Sequence, residues 1–412
     1  MANKYLSLIR KRPGFRNLWL ASLVSLIGDW FNTIASVMIV NQYTETDLAI
    51  SWILIARTLP RFLLIPFSGA LADRVNRKVI MVAADILRAG IVLSFLWVDR
   101  PERVWLIYVL TVAQFVAASF FEPASSAIIP SLVKGQEELM TANVLSSITW
   151  SAMLAVGAAL GGVFAGIFGA QTALIADALT FLVSASFLMG IRYTGISDQG
   201  ESTTRRFREL AAGFRYVIEK PRVGLLTLVK TMGQIGSADI FVIVLAEQYF
   251  PVGEQGAISL GFLFGMMGLG AIIGPLAVDK ITGGEPVGLQ KVIHAGYSLI
   301  PIGWLLMAWS PNLWIGGVGV LIRLMGTSIN WTYSNVLIQT EVPDRYRGRV
   351  FALDLGLFTL ATSIATFLTG YSLDQTSLNL QRLGYYLALG SLLPIFLWGL
   401  SRLGGRKNPD RA

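Results

Sequence analysis

The 412-residue chain contains no cysteine and a single histidine, His294. Without thiols it can form neither a disulfide nor a thiolate metal site. One histidine excludes a zinc protease of the His-Glu-x-x-His type. No Gly-Lys dipeptide occurs, so the Walker A loop of an ATP-driven pump is missing. A Gly-x-Ser-x-Gly hydrolase elbow is also absent, as is any filter-like loop or charged ring of a channel. These absences argue against an enzyme, and no cofactor or metal is expected. Charge itself is scarce. Only 14% of residues are Asp, Glu, Lys or Arg, against roughly 25% in soluble domains, and a soluble fold of this length would need more polar surface.

What the chain has instead is apolar length, with 54% of its residues hydrophobic. Runs of about 20 apolar residues, enough for a helix to cross about 30 Å of hydrocarbon, recur from end to end. Twelve spans are expected near 18–41, 49–71, 78–98, 103–131, 139–168, 171–191, 222–247, 256–278, 289–309, 312–340, 350–373 and 383–402. The expected fold is an all-α membrane protein with twelve transmembrane helices in two pseudo-symmetric six-helix halves.

Lys and Arg alternate from loop to loop. They crowd the N-terminus, the segments after spans 2, 6 and 10 and the C-terminus, whereas the alternate loops hold only Arg100, Arg103 and Arg382. Basic loops favour the cytoplasm, so both termini are expected inside. The net charge of +8 then faces anionic headgroups, which makes membrane lipids expected partners and nucleic acid not one. The basic start precedes a span too long for a signal-peptide core, so no cleavable signal is expected.

Residues 193–221 are the one long polar stretch between spans. Phe207, Leu210, Phe214 and Val217 share one helical face there, with Arg206, Glu209 and Arg215 elsewhere, the pattern of a helix lying along the membrane interface. The expected organisation is an N-terminal half at 1–192, a cytoplasmic linker at 193–221 and a C-terminal half at 222–412. The halves share a trace of repetition: span 2 ends "GALADRVNRK" and span 8 ends "GPLAVDKITGG".

Ionisable residues inside spans are costly in lipid and mark cavities or partners. Asp29 sits near the middle of span 1, within reach of Arg57, Arg61 or Arg88. It is read either as a structural partner of one of them or as a proton-carrying carboxylate. Arg57 and Arg61 are four apart and share a face of span 2. Asp85 and Arg88 can pair with each other or with Glu122, and Asp177 lies on span 6. The second half holds Lys230 and Asp239 on span 7 and Arg323 on span 10. Asp29, Glu122 and Asp177 are the candidate proton-coupling residues. Arg57, Arg61, Arg88, Lys230, Asp239 and Arg323 are candidates for the substrate cavity and suit an anionic cargo. His294 is read as a packed residue, and Phe121, Trp150 and Trp331 as possible cavity linings.

The compact knot between spans 2 and 3, Gly69, Leu71, Asp73, Arg74, Arg77 and Lys78, matches Gly-x-Leu-x-Asp-Arg-x-Gly-Arg-Lys with Asn76 at the second glycine. In this position it resembles the signature of the major facilitator superfamily. The stretches "SLIGDWFNTIA", "FFEPASSAIIPSLV" and "ELMTANVLSSITW" resemble its enterobactin-exporter and macrolide-efflux branch more closely. Two departures stand out. Ala113 and Gln114 occupy the place of the span-4 arginine motif, and the span-5 antiporter motif is reduced to "GAALGG" with Ala158 for proline.

The resemblance implies a conformational latch formed by Gly69, Asp73, Arg74, Arg77 and Lys78, docking near Arg349–Phe351. It also implies a multi-pass protein of the bacterial inner membrane, acting as a monomer by alternating access. The expected activity is export of an amphipathic siderophore or macrolide-like compound driven by protons. Transport of lipid or lysophospholipid and uptake of a small metabolite stay open as alternatives, as does a transport-dead sensor or assembly partner.

Overall fold

The computed structural model describes residues 2–44, 46–193, 214–282 and 288–405. Among these the chain is helical throughout, with no strand. Among the described residues ten helices are long and apolar enough to cross a membrane, and two further segments fill expected spans 2 and 7. This is a multi-pass membrane protein with an all-α, twelve-helix fold.

A short amphipathic helix, α1 (Ala2–Lys11), precedes the first span. The first six spans are α2 (Pro13–Tyr43), α3 (Asp47–Arg74), α4 (Arg77–Ser94), α5 (Trp105–Leu132), α6 (Gly135–Phe168) and α7 (Ala170–Met189). Helix α3, which carries Asp47, Arg57 and Arg61, is not among those ten. A helical stretch at 214–219, α8, leads into the seventh span.

Span 7 is not the continuous helix expected over 222–247. It runs as α9 (Pro221–Met232), breaks, and resumes as α10 (Ala238–Val244) with a closing π turn at Leu245–Tyr249. The break falls at "GQIGS", where Gly236 has φ +76°, a left-handed conformation that glycine adopts without strain. Ser237 restarts the helix by accepting from the Ile240 amide, and its own N–H donates to Thr369 Oγ1 at 3.0 Å. The freed amide of Ser237 is thus satisfied inside the protein, as lipid requires. The remaining spans are α11 (Ala257–Thr282), α12 (Leu289–Trp309), α13 (Leu313–Glu341), α14 (Asp344–Gln375), and a last span divided at Ser391 into α15 (Leu380–Gly390) and α16 (Leu392–Gly405).

Two compact units emerge. One comprises Met1–Phe207 with Pro251–Phe262, the other Arg208–Phe250 with Leu263–Ala412. In the first, α2 packs on α6 and α7, α4 on α5 and α7, and α3 on α5. Its core includes Phe15 and Leu18 of α2, Met81 of α4, Ile128 of α5 and Leu188 of α7. In the second, α12 packs on α13, α15 and α16, while α9 packs on α13 and α14. Inside lipid such contacts gain little from excluding water, so close packing and polar links between helices hold each unit together. Those polar links build the site.

Candidate functional site

A cavity of about 470 Å³ opens within the first unit. Helix α2 supplies one wall through Phe15, Trp19, Ser22, Ser25 and Asp29, a spacing of three and four that keeps all five on one face. At 1.5 Å per residue, Phe15 to Asp29 spans about 20 Å. The cavity is therefore a slot with two unlike regions. One gathers charge from Asp29, Arg61, Arg88 and Glu122. The other gathers aromatic and hydroxyl groups, among them Trp19, Ser126, Thr149 and Trp150. Trp19 Nε1 donates to Thr149 Oγ1 at 2.8 Å and fixes that wall. Trp150 and Phe121, read from sequence as possible linings, both face this cavity.

Arg88 organises the charged region. Its Nη2 donates to Asp29 Oδ1 at 2.7 Å, and its Nη1 lies 3.5 Å from Asp85 Oδ1. The guanidinium lies over the Phe181 ring, 3.9 Å from its centroid. Asp85 Oδ2 accepts from Ser184 Oγ at 2.6 Å. Asp85 is fully buried and Arg88 nearly so, while the Asp29 side chain keeps 22% exposure. Of the three arginines within reach of Asp29 in the sequence, the structure brings Arg88 to it.

Glu122 does not join this network. It pairs with Arg61 at 3.3 Å, both side chains well exposed, a pairing worth at most about 1 kcal/mol in such a setting. Arg57 and Arg61 both place their guanidinium groups over the Phe115 ring, at 4.9 and 4.7 Å, so their spacing of four does put them on one face. Asp177 of α7 is completely buried, and its Oδ2 has no hydrogen-bond partner. Thr180 Oγ1 lies 3.4 Å from its Oδ1. Gly28 of α2 sits against both residues, and a Cβ there would overlap Thr180 Oγ1 and the Asp177 carboxyl. Only glycine lets α2 approach α7 this closely.

The second unit holds its own buried pair. Lys230 Nζ donates to Asp354 Oδ2 and, at 2.7 Å, to Asn335 Oδ1. The ammonium lies 4.5 Å from the Trp331 ring centroid. Asp354 is absent from the residues singled out in the sequence, where a lone acid in "FALDLGLF" was its only signal. Arg323 is buried over Trp304, 4.5 Å from its centroid, and reaches toward the Gly236 carbonyl at the span-7 break. Asp239, in the first turn after that break, interacts electrostatically with Arg323. His294 is half-buried, its Nδ1 is without a hydrogen-bond partner, and a Cβ at Gly399 would touch its Cε1.

Around the α3–α4 turn the side chains of Gly69, Asp73 and Arg74 lie outside the described residues. Asp73 itself lies within the last turn of α3. Asn76, the departure from the motif, caps α4 by accepting from the Lys78 amide at 3.0 Å. Arg77 and Lys78 are bonded to backbone carbonyls. Arg77 donates to Ala127 O at 2.7 Å, and Lys78 Nζ to Met189 O and Ile191 O at 2.7 and 2.8 Å. Lys78 thus satisfies carbonyls at the end of α7. Of the amphipathic stretch, Arg206, Phe207, Glu209 and Leu210 lie outside the described residues. Phe214 is exposed, Val217 half-buried, and Tyr216 stacks on Tyr346 at 4.3 Å.

A family model described as transmembrane secretion effector matches residues 7–399. The uncharacterized MFS-type transporter YfiS of Bacillus subtilis (strain 168) is 26% identical over 412 residues, covering 97% of this chain and 95% of that protein. The enterobactin exporter EntS of Shigella boydii serotype 18 is 27% identical over 354 residues, covering 84% of this chain and 82% of its own. The crystal structure of the nucleoside transporter NupG superposes with a TM-score of 0.74 at 12% identity, over 94% of this chain and 98% of NupG, a likeness of fold alone. Such proteins move solutes and are not enzymes. The chain belongs to the transmembrane secretion effector family, within the major facilitator superfamily of membrane transporters.

Proposed function

We propose that this transporter exports an amphipathic small molecule bearing an anionic or catecholate group, in exchange for protons, by alternating access of its two six-helix halves. The observation that carries this reading is the shared guanidinium of Arg88, placed between a cavity-facing carboxylate, Asp29, and a buried one, Asp85. With both carboxylates ionised, one guanidinium charge faces two negative charges, so the cluster is one positive charge short. When Asp29 takes a proton from the cavity, its hold on Arg88 weakens and the guanidinium can settle on Asp85, three residues away on the same helix. When Arg88 returns, the ionised form of Asp29 is favoured again and the proton leaves. Only a proton and a side-chain movement are needed.

In this reading Arg57 and Arg61, stacked on Phe115, meet the anionic part of the cargo, and the Trp19 and Trp150 region holds its apolar part. Arg88 serves the proton rather than the cargo. Glu122 tempers Arg61, and Asp177 is a buried reserve carboxyl. Gly69, Asp73, Arg74, Arg77 and Lys78 form the latch. The setting proposed is the bacterial inner membrane, with both termini cytoplasmic and the monomer as the working unit. The enterobactin named for one relative has the polyphenolic, amphipathic character that the two-region cavity suits. Enterobactin movement in proteoliposomes tests the proposal: an imposed pH gradient should drive accumulation, and a membrane potential alone should drive less. Accumulation indifferent to the pH gradient would sink proton coupling.

A further inference from the structure

We propose that Lys230, Asn335 and Trp331 form a second binding site, for an organic carboxylate or similar anionic group, whose occupation is coupled to protonation of Asp354. It lies in the second unit and does not rest on the reading of Asp29 and Arg88.

The pair is almost sealed, with side-chain exposures of 4% for Lys230 and 1% for Asp354. A buried ion pair offsets its desolvation only when the remaining lone pairs are also satisfied. Here they are not: Asp354 Oδ1 is buried with no hydrogen-bond partner. A carboxylate kept merely to fasten α14 to α9 would be expected to have both oxygens engaged. The ammonium, though itself buried, has one partly exposed neighbour. It lies under the indole of Trp331, which is 36% exposed and braced edge-on by Phe358 at 5.0 Å. A flat anion sliding along that indole would meet Lys230 Nζ and Asn335.

Charge decides what happens next. In the observed arrangement the cluster is neutral, with one ammonium and one carboxylate. An anion arriving alone would leave it net negative in a low-dielectric interior. A proton arriving alone would leave it net positive. Only the joint event keeps it neutral: the anion accepts the Lys230 N–H bond, Asp354 Oδ2 gives it up, and Asp354 takes one proton from water.

The other charged groups on the packed helices are engaged elsewhere. Arg222 of α9 pairs with Glu341 of α13 at 2.7 Å. Arg323 lies over Trp304, Arg347 reaches Val342 O, and Arg349 lies over Tyr346. Helix α12 touches α9 through Tyr297, which donates to Val229 O, and it also carries His294, whose Nδ1 is buried without a hydrogen-bond partner. The side chains of Asp344 and Arg345 lie outside the described residues.

The test is calorimetric binding of 2-naphthoate and of 2-naphthamide, its neutral isostere, to the full chain in nanodiscs. Between about pH 8 and about pH 6, naphthoate affinity should rise by up to about tenfold per unit, and the amide should show no such slope. Repeating the titration in buffers of different ionisation enthalpy should show one proton taken up per naphthoate bound. Asp354→Asn should bind naphthoate without the slope, and Lys230→Gln should lose naphthoate binding. No binding by the parent, no proton uptake, undiminished binding in Lys230→Gln, or a full slope in Asp354→Asn would each overturn the proposal. So would an unchanged slope in a charge-swapped variant, Lys230→Asp with Asp354→Lys, which would mark the pair as a fastener. Asp29→Asn, in the first unit, should keep the count at one proton per naphthoate, and a count that vanishes there would assign the proton to Asp29 and overturn the proposal even if the Lys230 and Asp354 variants fail to fold.

Discussion

Replacing Arg88 by Gln removes the one group that holds Asp29 and Asp85 together. Asp85 is fully buried, and its remaining hydrogen bond is from Ser184. Stranding such a carboxylate by deleting its partner costs about 3–5 kcal/mol. Loss of the stacking on Phe181 adds about 1 kcal/mol. Asp29 adds little, because its side chain is 22% exposed to the cavity and can be hydrated there. Asp85 can also take a proton and keep Ser184, which places the total near the low end, about 3–4 kcal/mol. At about 2 °C per kcal/mol for a large chain, the purified protein should melt roughly 6–8 °C lower by tryptophan fluorescence. Adding Asp85→Asn removes the stranded charge and should recover most of that loss, leaving the part due to stacking. If Arg88→Gln melts like the parent, or if the second substitution recovers nothing, Arg88 is not the counter-charge of Asp85.

Two more outcomes follow from the same network. Arg57→Gln with Arg61→Gln breaks only an exposed pair worth at most about 1 kcal/mol, so melting should hardly change. Transport of an anionic cargo should fall well below that of a neutral analogue, and equal loss for both would assign the arginines a structural role. Asp73→Asn should leave melting intact but shift cysteine accessibility between the two sides of the membrane. A helix-terminus contact of about 0.3–2 kcal/mol is enough to move a balanced equilibrium severalfold, and identical accessibility would remove Asp73 from the latch.

The spans were legible because length and hydropathy are summed over some twenty residues, so single exceptions do not hide them. The break in span 7 was hidden for the same reason. Gly233 and Gly236 sit in an apolar run, and glycine is common in membrane helices that do not break. Pairing was harder still. Arg57, Arg61 and Arg88 lie at similar depths, so depth alone could not choose among them. The choice of Arg88 depends on α2 meeting α7 at Gly28, across from Asp177 and Thr180. Asp354, a single acid near the start of a span, reads as an interface residue until its helix is packed against Lys230. Asn76 reads in the motif as a mismatch to glycine, and in the structure it caps α4.

The measurement closest to the central claim compares Asp29→Asn with the parent in proteoliposomes carrying enterobactin, with and without an imposed pH gradient. The amide introduced by this substitution cannot exchange a proton with the cavity, yet its carbonyl oxygen can still accept a hydrogen bond from Arg88. The variant should therefore lose accumulation against the enterobactin gradient while retaining counterflow in the absence of a pH difference. Accumulation that persists in Asp29→Asn and still responds to the pH gradient would contradict the account, and would pass the coupling role to Glu122 or Asp177.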